Sequence, residues 1–404
     1  MTPASRAGEA GLDDAAALAA ADPAGMLLAA ATSAAQVREA ASETATVGLA
    51  GLVADGRPRA VVTLGMGGSG IAGDVLAGIA GLSCPVPVVA HRGPGLPGWV
   101  GAVDLVLAVS CSGSTEETLS ALEEAVRRGC RVLAVGAAGS PLADLCARAG
   151  GVLVPAAQGR QPRASLWSLA TPLLLAADAL GLLAFPPAAV EATAVRLEQV
   201  AVACRPGADS FTNPAKTLAV DLYGGIPVVW GTSPLTGVAA YRMACQLNEN
   251  AKAPCTWGVL PEAAHNQVVA LDGPHGARRG AGSTAAGSTG AGTAGDGTAG
   301  EEAADDFFRD RTQDDEGMPL RLVLLRDAAE EEHPLAARRA DLAVELARAR
   351  RVEVVELRAE GASRAERLAS LVGLVDFASV YLGILHGVDP TPVQVITELK
   401  SRLR

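Results

Sequence analysis

From about residue 58 onward, short apolar runs alternate with longer stretches whose apolar residues recur at helical spacing. The runs at 60–65, 86–90, 104–109, 131–135 and 151–154 read as strands, and 70–80, 115–128 and 140–148 between them as helices. Strands that are apolar on both faces and separated by helices belong to a parallel sheet covered on both sides. Helical segments at 165–183 and 187–203 lead away from this unit. The rhythm restarts near 214, with a strand at 226–230 and a helix that Pro234 opens. Pro254 keeps that helix from running past about Ala251. Strands at 320–326 and 352–357 flank a helix at 334–350, and helices at 364–386 and 392–402 finish the chain.

The expected fold class is α/β, with two doubly wound parallel sheets in tandem. Residues 8–53 carry alanine-rich helical spacing, so 1–57 reads as an N-terminal helical segment. A first domain with its linker helices then spans 58–205 and a second spans 206–404. The tract 273–305 fits neither core. It is nearly all Gly, Ala, Ser and Thr, with acids after Asp296, and buries too little apolar surface to offset its ordering entropy. A disordered insertion in the second domain is expected there.

Composition narrows the classes of function. A chain of 404 residues exceeds what one core usually holds, in keeping with two domains. Its net charge of −11 argues against a nucleic-acid partner, because phosphate backbones demand basic surfaces. The seven cysteines are scattered without paired or metal-ligand spacing, which suits a reducing cytoplasm. The start Met1-Thr2-Pro3-Ala4-Ser5-Arg6 lacks the order of a signal peptide, and no uninterrupted apolar run reaches the roughly 18 residues of a membrane span. A cytoplasmic protein without a membrane partner is expected.

Two turns carry the chemistry. Gly65-Met66-Gly67-Gly68-Ser69-Gly70 follows the first strand, and Ser110-Cys111-Ser112-Gly113-Ser114-Thr115 follows the third. A strand-to-helix turn aims backbone N–H groups and the positive end of a helix dipole at one spot, which suits an anion. Glycine admits close approach, and hydroxyls add donors without charge. The first turn also satisfies the dinucleotide pattern GxGxxG. A nicotinamide site, however, needs an acid at the end of the second strand, where this chain has Val89-Ala90-His91-Arg92. In the second turn Ser114 and Glu117 could form a capping box, but a cap does not need Ser110 and Ser112 as well. The pair of turns reads as a phosphate cradle, with no cofactor or metal.

GGSGIAGD and SxSGSTEET resemble the two sugar-phosphate loops of the SIS (sugar isomerase) fold, a flavodoxin-like doubly wound architecture. Further stretches resemble the bifunctional phosphoglucose/phosphomannose isomerase family in that family's order: Gln161 to Ala164, Asn213 to Lys216, Asn248 to Lys252, Pro261-Glu262 through His265-Asn266, and Asp389-Pro390 through Lys400. The resemblance implies that Gly68, Ser69, Ser110, Ser112 and Thr115 hold a substrate phosphate. It implies Arg163 as stabiliser of an enediolate, Glu249 as the proton-transferring carboxylate, and His265 with Lys400 in sugar-ring opening. It also implies Thr391 as the residue associated with the mannose epimer. The family usually has an aromatic where Cys111 stands and asparagine where Ser114 stands; Cys111 reads as a packed small residue.

The expected function is interconversion of glucose 6-phosphate or mannose 6-phosphate with fructose 6-phosphate. Such a reaction moves one proton between adjacent carbons, which a positioned carboxylate can remove and return while a cation stabilises the oxyanion. The alternatives are a non-catalytic sugar-phosphate-binding regulator and an isomerase of another sugar phosphate; Glu262 is the rival carboxylate. The resemblance further implies a homodimer with a shared active site, the partner's His265 completing the site that holds Glu249.

Overall fold

The computed structural model describes residues 11–276 and 318–402. The insertion expected at 273–305 therefore lies, apart from its first four residues, outside the described residues. The alanine-rich N-terminal stretch forms helices Ala15–Ala21, Met26–Ala31, Ser33–Val47 and Ala50–Val53.

The first sheet contains β1 (Val61–Leu64), β2 (Val88–His91), β3 (Leu105–Ser110), β4 (Arg131–Gly136) and β5 (Val152–Pro155). Its order is β2-β1-β3-β4-β5 and every pairing is parallel. Strands β1 and β3 are buried along their whole length, which is why the sequence shows them as unbroken apolar runs. The chain leaves β1 to one side to build β2 and to the other to build β3. The C-terminal ends of β1 and β3 therefore diverge, leaving the crevice in which doubly wound sheets bind ligands.

The second sheet is also all parallel, in the order β7-β6-β8-β9, from β6 (Ile226–Gly231), β7 (Thr256–Val259), β8 (Leu320–Arg326) and β9 (Glu353–Arg358). Sequence pattern gave no strand at 256–259. That edge strand is four residues long, contains Gly258 and exposes Thr256 and Trp257, so it has no apolar run to show. The helix expected at 165–183 ends at Ala179. Leu180, Leu182 and Phe185 pack into the core from the following turn, so hydrophobicity continues where the helix does not.

The Arg364–Leu385 helix is the hub. Ser363 and Glu366 form a capping box at its start, and Phe377, Tyr381 and Leu382 are among its buried side chains. Burial of each large side chain contributes about 1.5–3 kcal/mol. The helix is long and apolar enough to cross a bilayer, yet 83% of its most apolar window is buried inside the fold. It packs against the Pro234–Asn250, Pro214–Leu222 and Pro187–Ala203 helices. Pro234–Asn250 also packs on the Gly67–Ala80 helix, which follows β1. Elements that follow both sheets thus meet at one place.

Candidate active site

The two predicted turns converge at the crevice between β1 and β3. The first forms the opening of the Gly67–Ala80 helix, starting earlier than its glycine-rich sequence suggests. Ser69 Oγ accepts the Cys111 N–H at 3.2 Å, which ties the first turn to the second. Ser110 Oγ and Thr115 Oγ1 share a hydrogen bond of 2.9 Å, and Ser112 Oγ accepts from both the backbone and the hydroxyl of Ser114. The capping box of Ser114 with Glu117 does not form. Thr115 is the N-cap of the Glu116–Arg127 helix and makes no side-chain cap bond, because its hydroxyl faces Ser110 instead. Hydroxyls that a cap would employ are thus gathered around the strand end. Cys111 is buried, and burial pushes its thiol pKa upward despite a bond from Ser165.

The turn Pro162–Ala164 closes one side of this crevice. A Cβ on Gly68 would stand 2.9 Å from Pro162 O and 3.0 Å from Arg163 N, so the glycine turn lies directly on the segment carrying Arg163. Arg163 is 3% exposed. Its Nε donates to Asn250 Oδ1 at 2.7 Å, and its Nη2 donates to the carbonyls of Pro390 (3.0 Å) and Thr391 (2.6 Å). Burial pulls its pKa down while Glu249 and Asp389 oppose that shift, and a guanidinium remains a cation throughout. Among the described residues Nη1 alone makes no hydrogen bond, and Glu249 Oε2 stands 3.7 Å from it. Glu249, near the end of the Pro234–Asn250 helix, is partly exposed, so its carboxylate can meet a ligand.

Thr391 lies beside this pair: its N–H donates to Asp389 Oδ1, and its Oγ1 is buried without a partner among the described residues. Ser69, Ser110, Ser112, Thr115, Gly68, Arg163, Glu249 and Thr391 therefore line one continuous region. Among the described residues no hydrogen bond or ion pair joins His265 or Lys400 to it. His265 is exposed and its Nε2 accepts from Arg339 Nη1 at 2.7 Å. Lys400 sits on the Gln394–Arg402 helix, none of whose residues is buried. The rival carboxylate Glu262 is exposed and accepts from Asn266 Nδ2.

Sequence reading missed the residues behind Arg163. Arg242 forms a two-bond ion pair with Asp376 (2.8 and 2.7 Å) and also donates to Arg163 O at 2.8 Å. Gln246 donates to the same carboxylate at 3.0 Å. The signal available was a charge set in the apolar middle of each helix, Arg242 between Tyr241 and Met243 and Asp376 between Val375 and Phe377, since such charges are rarely buried unless paired. Lys252, the last residue of the Asn248-to-Lys252 stretch, donates to the carbonyls of Glu249 and Pro390, and burial, together with Arg163, pulls its pKa down. Arg92, at the end of β2, pairs with Asp74 and lies 5.2 Å from the Tyr241 ring centroid.

The second sheet has an equivalent crevice between β6 and β8, but it is filled by the chain itself. Asp327 Oδ2 accepts from Ser233 Oγ at 2.8 Å, Oδ1 accepts the Ala328 N–H at 2.9 Å, and Arg367 Nε stands 3.0 Å from Oδ1. One crevice is lined by available hydroxyls, and the other is closed by a carboxylate.

Residues 211–403 match the family described as the bacterial phospho-glucose isomerase C-terminal SIS domain. A bifunctional phosphoglucose/phosphomannose isomerase of Caldicellulosiruptor bescii is 31% identical over 343 residues, spanning 85% of this chain and 89% of that protein. A protein of the same name from Aquifex aeolicus is 29% identical over 347 residues, spanning 86% and 91%. A solved structure of a hypothetical protein from Thermus thermophilus shares the fold, with a TM-score of 0.64 at 15% identity, covering 94% of this chain and 90% of that one.

Proposed function

The chain belongs to the bifunctional phosphoglucose/phosphomannose isomerase family, and from that membership we propose that it interconverts glucose 6-phosphate and mannose 6-phosphate with fructose 6-phosphate in the cytoplasm. The observation that carries this reading is the placement of Glu249 at the one edge of Arg163 left without a hydrogen bond, beside the serine-lined crevice. A carboxylate and a cation at that spacing can serve adjacent carbons of one substrate. Ser69, Ser110, Ser112 and Thr115 hold the phosphate, aided by backbone N–H groups that open the two helices. Glu249 takes the proton from one carbon of the open-chain sugar and returns it to the next. Arg163 Nη1 donates to the oxygen that gains charge in the enediolate between those steps. Thr391, whose hydroxyl has no partner among the described residues, is assigned to the sugar hydroxyl that differs between the epimers. The chemistry is a proton transfer that these side chains can perform without a redox cofactor.

Ring opening is assigned to His265 and Lys400, with the partner's His265 reaching the site that holds Glu249. Support comes from the exposure of His265 and from the unburied helix bearing Lys400, whose Val395 and Leu399 are apolar and exposed. A coupled assay on the three hexose 6-phosphates tests the reaction. No turnover with retained phosphate-competitive binding would identify a regulator instead. Co-refolding inactive Glu249→Gln and His265→Ala subunits tests the assembly: roughly a quarter of wild-type sites should recover, since half the dimers are mixed and each has one intact site. No recovery despite proven heterodimers would place each site within one chain.

A further inference from the structure

We propose that Asn250 is a positioning residue that fixes the guanidinium of Arg163 for the oxyanion, an inference that rests on the isomerase reading above. Asn250 is fully buried, and among the described residues its Oδ1 is the one side-chain oxygen hydrogen-bonded to Arg163; the other two acceptors are carbonyls of the 390–391 segment. The amide cannot turn over, because Arg163 only donates and Asn250 Nδ2 donates to Ser379 Oγ at 2.9 Å. Ser379 in turn donates to Asp376 O at 2.7 Å, so the chain of bonds ends on the hub helix. A side chain on Gly383 would stand 2.7 Å from Asn250 O, so that glycine lets the helix end carrying Glu249 and Asn250 seat directly on the hub.

The amide has a reason to be neutral. An aspartate would make the same bond to Nε yet cancel the positive charge that the developing oxyanion needs. With an amide, Nε and Nη2 are held by neutral oxygens, and the charge remains available at Nη1, where Glu249 stands. Side-chain networks of this kind act through their last member, so removing an inner link shows in kcat more than in substrate affinity.

The test is a double-mutant cycle, with thermal melting used to verify folding. Asn250→Ala and Asn250→Asp should each lower kcat about tenfold or more with KM changed less than about threefold. On an Arg163→Ala background, Asn250→Ala should cause no further loss, because the residue it orients is gone. Calorimetry gives a readout that needs no turnover. Affinity for a hydroxamate analogue of the enediolate should fall about tenfold in Asn250→Ala while inorganic phosphate binds as in the wild type. If Asn250→Ala does not fold, Ser379→Ala replaces it, with a loss of about threefold in the same readouts. Wild-type protein that binds the analogue but turns over no hexose phosphate would overturn the isomerase reading and leave the binding arm to decide the positioning. Analogue affinity and kcat within twofold of wild type, or an undiminished loss on the Arg163→Ala background, would overturn the positioning role.

Discussion

Replacing Gly68 by alanine separates the glycine-rich turn after β1 from the turn that carries Arg163, and the separation can be worked from the structure. The added Cβ would lie 2.9 Å from Pro162 O, 3.0 Å from Arg163 N and 3.0 Å from Pro162 C. All three are backbone atoms, so no side chain can rotate away, and ordinary contact requires roughly half an ångström more. Arg163 is held by Asn250, Pro390 and Thr391, so the glycine turn must yield, and Ser69 moves with it. Misplacement of about 1 Å at a reacting centre can cost about a hundredfold in rate, so half that distance corresponds to a fall in kcat of about tenfold. Overpacking of this kind costs about 1–3 kcal/mol, which for domains of this size lowers Tm by roughly 2–10 °C.

Gly224→Ala supplies the comparison. Its φ of +72° strains any side chain, but a Cβ there meets nothing within 4 Å, and the residue lies at the opposite end of its sheet from the strand C-termini. It should lower Tm by a similar amount with little effect on kcat. Initial rates from fructose 6-phosphate in a coupled assay, with melting curves for both variants, decide the matter. If Gly68→Ala keeps kcat within twofold of Gly224→Ala, the two turns are not one rigid unit and the reasoning fails.

Glu249→Gln should leave hexose 6-phosphate binding nearly unchanged by calorimetry and lower turnover about 10²–10⁴-fold; near-normal turnover would shift attention to Glu262. Replacing both Ser110 and Ser112 by alanine should weaken phosphorylated ligands and abolish competition by inorganic phosphate, and unchanged affinity would reduce these hydroxyls to local turn bonds. Asp327→Ala leaves Arg367, at 2% exposure, without its buried carboxylate and should destabilise the protein by about 3 kcal/mol. Phosphate should then raise the Tm of that variant more than that of the wild type, and an equal response would show that the second crevice cannot take an anion.

The central strands β1, β3, β4 and β6 were legible because they are buried along nearly their whole length and so appear as largely apolar runs. Strand β7 was not, because an edge strand with Thr256 and Trp257 exposed has no such run. The serine turns were legible for a related reason: Ser110, Ser112 and Thr115 are more hydroxyls than one helix start needs, and Thr115 is free for Ser110 because it caps nothing. Arg242 and Asp376 were not legible as a pair, since they are 134 positions apart and periodicity says nothing about which faces meet. Asn250 stood inside a recognised motif, but its role depends on contact with Arg163, which only the tertiary fold supplies.

Two similar sheets with one open crevice also explain how labour divides along the chain. A strand end followed by a helix start attracts negative charge wherever it occurs, and each sheet of this chain has such a place at its switch in strand order. In the first sheet the residues there are glycines and hydroxyls, which satisfy one another weakly and can turn to a ligand. In the second, Asp327 already supplies the anion, and Arg367 and Ser233 are committed to it. That internal carboxylate anchors the hub helix through Arg367, and the same helix carries Asp376 and Ser379 behind Arg163 and Asn250. The second sheet's crevice thereby serves as a fixture that, through the hub helix and Arg242, holds the segment carrying Arg163 at the edge of the first.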